Sequence, residues 1–311
     1  MARRYAILGT GALGGFYGAR LARAGKDVHF LLHSDYQHVQ QHGLRVDSKD
    51  GDFTLPSVNA YGDVAQMPPC DVAVVALKAT SNHLLPALVP PVLGEGGVVL
   101  FLQNGLGYEE EVARLVPGHH VIGGLCSLAS VKVGPGHIHH VEYGHVRMAQ
   151  YAADGRPAGV SELMRAIGQD FTDAGIRIDL SDDLVLARWM KLVWNIPISG
   201  LSVVLNADTH ALMADPHSRA LAEAIMGDVI AGAAACGRAM RPDFVRKMIE
   251  LTQGMAPYRP SLKIDFDQKK PMEVEAIYGN PVRAAQAAGG SMPLVETLYR
   301  QLKFLDERNR R

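Results

Sequence analysis

Lys191 and Asn195 stand four residues apart in a strongly apolar stretch, Leu184 to Ser199 (LVLARWMKLVWNIPIS), so on a helix they share one face. A lysine in so apolar a context is uncommon unless it is paired or used. Its ammonium group can stabilise the alkoxide that develops on a carbonyl substrate and then protonate it. Asn195, with Asn104 and Ser261, can fix a hydroxyl or carboxylate without adding charge. Glu273 can hold the lysine, or a cofactor ribose, in place. A structural ion pair between Lys191 and a helix carboxylate is the competing reading. At the other end of the chain, Gly9, Gly11 and Gly14 spell G-x-G-x-x-G. The first glycine allows a tight turn, the second lets backbone approach a pyrophosphate, and the third lets a helix pack close to a strand.

These residues need particular elements to carry them. The glycine turn, Gly9-Thr10-Gly11-Ala12-Leu13-Gly14, lies between a short apolar run (Tyr5 to Leu8) and a helical pattern with Leu13, Phe16, Tyr17 and Leu21 on one face. That context is strand, turn and helix, and the helix N-terminus offers N–H groups and partial positive charge to phosphates. A second strand is expected at Asp27 to Leu32. At its end an NAD site would place an acidic residue to hold the ribose 2′-hydroxyl. His33 stands there instead, with Asp35 two positions on; a histidine can hydrogen-bond a 2′-phosphate, and a solvated loop histidine is the plain alternative. Asp71 to Leu77 and Gly97 to Leu102 are near-continuous apolar runs, the signature of parallel strands covered on both faces. Ligands bind outside the carboxyl ends of such strands, which places Lys78 and Asn104, although an Asn-Gly turn also explains Asn104.

From Val121 to Tyr151 the pattern reads as short strands around Gly134-Pro135-Gly136. His137, His139, His140 and His145 fall here, but no carboxylate or cysteine stands at ligand spacing, and no metal is expected. After Asp179 to Asp183 everything reads helical. Asp215-Pro216 opens a long helix that closes at Cys236-Gly237. Another helix starts near Arg241-Pro242-Asp243; Pro257 to Pro271, with Ser261, reads as a loop; a further helix carries Glu273 and Glu275; Pro293 to Arg300 leads into the last. The fold class is α/β: a Rossmann-type doubly wound sheet, residues 1–181, followed by an all-helical substrate and catalytic domain, residues 182–311, with the site in the cleft between them.

Composition bounds the partners. The 311 residues are 48% hydrophobic and 20% charged with a formal net charge of -1, which gives no reason to expect nucleic acid or an acidic membrane. Cys70, Cys126 and Cys236 form no C-x-x-C, so no disulfide or zinc framework is expected. The first strand follows Met-Ala-Arg-Arg at once and no apolar run approaches the roughly 20 residues of a membrane span, so the expected location is cytoplasmic. The expected partner is a small-molecule 2-oxo acid; a homodimer is one assembly open to the chain.

Taken together, GTGALGG at 9–15, LKA at 77–79, QNG at 103–105, PGHIHH at 135–140, RWMKLVWN at 188–195 and the Ser261 to Glu273 spacing followed by Val-Glu resemble the ketopantoate reductase (2-dehydropantoate 2-reductase) family. The resemblance spans the chain. It implies reduction of 2-dehydropantoate to pantoate with NADPH, as in pantothenate and coenzyme A biosynthesis, on a Rossmann domain joined to a helical one. It implies Lys191 as proton donor, Asn104, Asn195 and Ser261 as substrate ligands, and Lys78, Asn104, Ala129 and Glu273 near the cofactor. The chain departs from the family at His33, where an arginine is usual, and at Ser199, Tyr258 and Tyr278, where asparagines are; Ser199 thereby becomes a shortened substrate ligand. Two alternatives stay open: an NAD(P)H-dependent reductase of another 2-oxo acid on the same fold, and a nucleotide-sensing relative without turnover.

Overall fold

A computed structural model of the chain describes residues 3–310. β1 (Arg4–Leu8) runs into α1 (Ala12–Arg23), and β2 (Asp27–Leu31) returns parallel to β1. α1 buries Phe16, Tyr17 and Leu21 against Ile7, Val28, Phe30 and Val74 of the sheet. There follow α2 (Tyr36–His42), β3 (Leu44–Ser48), β4 (Phe53–Leu55), β5 (Asn59–Tyr61), β6 (Cys70–Val75), α3 (Leu85–Val92), β7 (Leu93–Phe101), α4 (Glu109–Leu115), β8 (His120–Gly134), β9 (His137–Gln150), α5 (Glu162–Asp173) and β10 (Ile178–Ser181).

Among the described residues the strands form one ten-stranded sheet in the order β4-β3-β9-β8-β7-β6-β1-β2-β5, with β10 paired to β9. From β5 through β2, β1, β6 and β7 to β8 every pair is parallel, and the chain order reverses at β1 and β6. That is the doubly wound arrangement, and the reversal is where such sheets bind nucleotides. β6 and β7 are central, and the run Val98–Phe101 is entirely buried, as expected for strands covered on both faces.

The segment expected as short strands is instead a long antiparallel hairpin, β8 of 15 residues and β9 of 14. Its register shifts between Ser127 and Leu128, Ala129 and Ser130, and Lys132 and Gly134. Each shift interrupts the period-two alternation, so a continuous strand reads as fragments. Two of its histidines have protein partners: His137 Nε2 lies 2.8 Å from Asp47, and fully buried His140 packs on Phe16 and pairs with Ser48 Oγ at 2.8 Å.

The helices that follow are α6 (Leu184–Val204), α7 (Thr209–Ala214), α8 (Pro216–Ala235), α9 (Phe244–Gln253), α10 (Ser261–Asp267), α11 (Asn280–Ala287) and α12 (Pro293–Asn309). Asp215 caps α8 by accepting from the His217 and Ser218 N–H groups, with Pro216 in the first turn. Three details differ from the sequence reading. α6 continues past Ser199 to Val204, through Pro197. The stretch 257–271 contains α10, which starts directly after Pro260 and buries Leu262, Lys263 and Asp265. Glu273 precedes its helix rather than riding on it: the Met272 N–H is taken by Asp306 at 2.9 Å, and regular winding starts after Glu273 with a π-helical turn, Glu275–Gly279.

The chain separates into two compact units. The sheet unit comprises residues up to Gln103 together with Tyr108–Leu184; the helical unit comprises Asn104–Gly107 and everything from Val185. Relative to a division after residue 181, the sheet unit keeps 182–184, where the Asp182 carbonyl accepts from Gly159. No described helix is long and apolar enough to cross a membrane.

Candidate active site

Within the sheet unit the glycine turn sits at the reversal of strand order. Gly9 has φ +101°, and a Cβ there would lie 2.7 Å from the Leu77 nitrogen, beyond the end of β6. A Cβ on Gly14 would lie 2.2 Å from the Gly9 carbonyl and 2.9 Å from Ala76 Cβ. These two glycines are therefore required by the fold itself. Gly11 is different: its φ is −85°, and a Cβ there would meet nothing within 4 Å. Neither backbone conformation nor packing asks for glycine at this position. The space it leaves opens at the start of α1, whose first turn has no side-chain cap and no acidic residue. Free N–H groups, helix dipole and an open cradle suit a pyrophosphate, so the residues present fit a dinucleotide. Thr10 ties the turn to β2 by donating to the Leu31 carbonyl at 2.9 Å; Ala12 and Leu13 begin the helix.

His33 is exposed just past β2. Asp35 is buried, and its carboxylate is already engaged: Lys132 Nζ lies at 2.5 Å, the Gly136 N–H donates at 2.9 Å and the Ser34 hydroxyl at 3.1 Å. Burial acts to raise this carboxyl, but the lysine and the backbone N–H outweigh it and hold the group below the usual carboxylate range. Asp35 thus anchors the β8–β9 hairpin. Lys132 carries no local signal of this role in the sequence, because its partner stands far away in the chain, at the start of α2.

Lys78 is exposed after β6 and opens the 3₁₀ turn Ala79–Leu84. Gln103, buried at the end of β7, donates through Nε2 to the Leu77 carbonyl at 2.8 Å and to Asn82 Oδ1 at 2.7 Å, locking the two strand ends together. In the sequence Gln103 is only the first residue of QNG; its structural job is to fix the turn that carries Lys78. Ala129 is buried in β8, next to Ser130, whose hydroxyl donates to the Ala12 carbonyl at 3.3 Å.

The helical unit holds Asn104, Lys191, Asn195, Ser199, Ser261 and Glu273. Lys191, Asn195 and Ser199 recur every fourth residue of α6, about 6 Å apart along its axis, and so form one stripe. Burial deepens along it, from half-buried Lys191 to buried Asn195 and Ser199. α6 is held rigidly around that stripe. Trp189 is fully buried, Trp194 Nε1 donates to Thr252 Oγ1 at 3.0 Å, and the Tyr278 hydroxyl donates to the Ile196 carbonyl at 3.2 Å. Burial pushes the Tyr278 phenol well above its ordinary range and keeps it a donor. Glu273 is buried, Ser261 is exposed at the first position of α10, and Asn104 is half-buried. The Asn104 loop joins this unit through the Leu106 N–H, which donates to the Ala276 carbonyl at 3.1 Å, three residues past Glu273. Tyr258 is held by its backbone, which exchanges two 3.0 Å hydrogen bonds with Thr209.

The arrangement offers an ammonium, a carboxylate and neutral hydrogen-bonding groups on one unit, and a nucleotide cradle on the other. Known proteins resemble the chain over its whole length. The ketopantoate reductase PanE/ApbA family matches residues 5–153, and the ketopantoate reductase PanE/ApbA C-terminal family matches residues 183–306. A 2-dehydropantoate 2-reductase of Nostoc sp. is 59% identical over 308 residues, 99% of this chain and 97% of that protein. The crystal structure of the Geobacter metallireducens 2-dehydropantoate 2-reductase superposes with a TM-score of 0.92 at 39% identity, covering 98% of this chain and 99% of that one. That of the Methylococcus capsulatus enzyme gives 0.90 at 32%, covering 99% and 98%. The glycine turn, the polar stripe on α6 and this full-length likeness have one reading: the chain belongs to the ketopantoate reductase family.

Proposed function

We propose that this chain is an NADPH-dependent oxidoreductase that reduces 2-dehydropantoate to pantoate. The observation that carries the reading is the near-complete match, at 59% identity, to a 2-dehydropantoate 2-reductase. Bound NADPH supplies a hydride to the C2 carbonyl carbon. Gly11 and the start of α1 hold the pyrophosphate. Lys191 faces the carbonyl oxygen, stabilises the negative charge that develops on it and donates the proton that completes the hydroxyl. Asn195 and Asn104 orient the carboxylate and hydroxyl arms, with Ser261 and Ser199 beside them, and Glu273 holds Lys191 or the nicotinamide ribose in register.

Preference for NADPH is supported by the state of Asp35. An acidic side chain at this strand end would normally hold the 2′-hydroxyl of NADH. Here it is tied to Lys132 and Gly136, leaving His33 and Ser34 exposed for a 2′-phosphate.

The test is oxidation of NADPH with 2-dehydropantoate and with 2-oxoisovalerate, which lacks the hydroxymethyl arm. Groups placed to read that hydroxyl are left unpaired by the simpler acid, so 2-dehydropantoate should have the higher kcat/KM. Equal efficiency with both would keep the reductase chemistry and remove the pantoate assignment.

A further inference from the structure

The loop Asn104–Gly107 has little rigidity of its own. Gly105 and Gly107 flank Leu106 with φ of +105° and +94°, a region open to glycine at no steric cost and equally easy to leave. The main chain of Leu106 ties the loop to the helices on both sides. Its N–H donates to Ala276 in the π-helical turn, and its carbonyl accepts from Asn280 Nδ2 at 2.6 Å.

The Asn280 amide is itself oriented. Arg283 Nη2 donates to Asn280 Oδ1 at 2.6 Å, and a guanidinium can only donate, so Oδ1 must face the arginine and the NH₂ must face Leu106. Arg283 also pairs with Glu275 at 2.9 Å, and Glu275 accepts from the Tyr299 hydroxyl at 2.7 Å and from Lys303 at 3.1 Å, both on α12. A continuous polar chain therefore runs from α12 to the loop, beside the segment that carries Glu273.

We propose that Asn280 is a positioning residue that clamps the Asn104 loop through the Leu106 carbonyl and acts on substrate through Asn104. The inference rests on the reading of Asn104 as a substrate ligand. Asn280→Ala removes the clamp. Asn280→Asp keeps the size and the Arg283 contact but has no donor for Leu106. Both variants should raise KM for 2-dehydropantoate roughly five- to tenfold, the scale of one lost hydrogen bond. kcat should change less. Amide hydrogen exchange in a peptide spanning 104–107 should accelerate in both. In the Asn104→Ala background, Asn280→Ala should add no further loss, because the two act as one unit.

Unchanged exchange together with an unchanged KM would show that Asn280 does not hold the loop. Fully additive losses in the double variant would show that it acts by another route. A wild-type KM in Asn104→Ala alone would remove Asn104 as a ligand and with it this role of Asn280, while the exchange readout would still report whether the clamp exists.

Discussion

The Asp35 carboxylate lies 2.5 Å from Lys132 Nζ, so the acidic side chain nearest the expected ribose site is neutralised by a residue of the β8–β9 hairpin. Lys132→Met should leave that charge uncompensated, held only by the Gly136 N–H and the Ser34 hydroxyl. Such a carboxylate repels a 2′-phosphate and is able to hold a 2′-hydroxyl. The ratio of kcat/KM for NADPH over NADH should therefore fall by about tenfold, equivalent to ~1.4 kcal/mol. The Asp35→Asn, Lys132→Met double variant should recover most of the ratio. Steady-state kinetics with both cofactors measures it; no change in either variant would dissociate this pair from cofactor choice.

Gly11 and Gly14 should separate in their effects. Gly14→Ala drives a Cβ into the Gly9 carbonyl and should lower stability by roughly 1–3 kcal/mol, the scale of overpacking. Gly11→Ala meets no protein atom and should leave Tm near wild type, yet weaken NADPH binding by about tenfold or more as the methyl enters the pyrophosphate space. Thermal melts and cofactor titration read the two quantities independently. Normal NADPH affinity in Gly11→Ala would move the pyrophosphate elsewhere.

Lys191→Ala should cut turnover roughly 10²-fold or more while NADPH still binds, the loss expected of a positioned acid. Stopped-flow reduction under saturating cofactor would locate the defect in the chemical step. Turnover within a few fold of wild type would take the lysine out of the mechanism.

Stability should decline below neutral pH. Burial pushes His140 and His29 below the ordinary imidazole range of about 6.5. Below that pH the unfolded chain takes up protons that the folded chain refuses. The contribution is therefore complete above ~6.5 and is lost as pH falls towards the folded values. For His140 the geometry agrees: the Tyr143 carbonyl can only accept, so Nε2 carries the proton and Nδ1 accepts from Ser48. His140→Gln should flatten the fall in unfolding free energy between pH 7 and 5 by on the order of 1 kcal/mol. An unaltered slope would place the titration on other groups.

Legibility in the sequence followed range. The β1-turn-α1 unit, the buried runs of β6 and β7 and the Asp215 cap of α8 are each specified by residues within a few positions of one another, and the structure places them there. α10 escaped because seven residues after Pro260, without a strong apolar period, look like loop until Leu262, Lys263 and Asp265 are seen to be buried. β8 and β9 escaped because bulges interrupt the alternation that marks a strand. The Lys191-Asn195 stripe was visible from spacing alone. Lys132 and Asn280 were not, since each matters through a partner distant in sequence that no local pattern names.

The division of the chain has a consequence for modular engineering. The backbone leaves the sheet unit after Gln103, returns at Tyr108 and leaves for good after Leu184. A gene cut at 184 therefore yields a C-terminal fragment without the Asn104–Gly107 insert, and a sheet unit whose loop has lost its Ala276 and Asn280 hydrogen bonds. Chimaeras that exchange only the two contiguous halves between relatives would pair each helical unit with a foreign loop. Keeping the helical unit whole in a chimaera requires those four residues to travel with the C-terminal half.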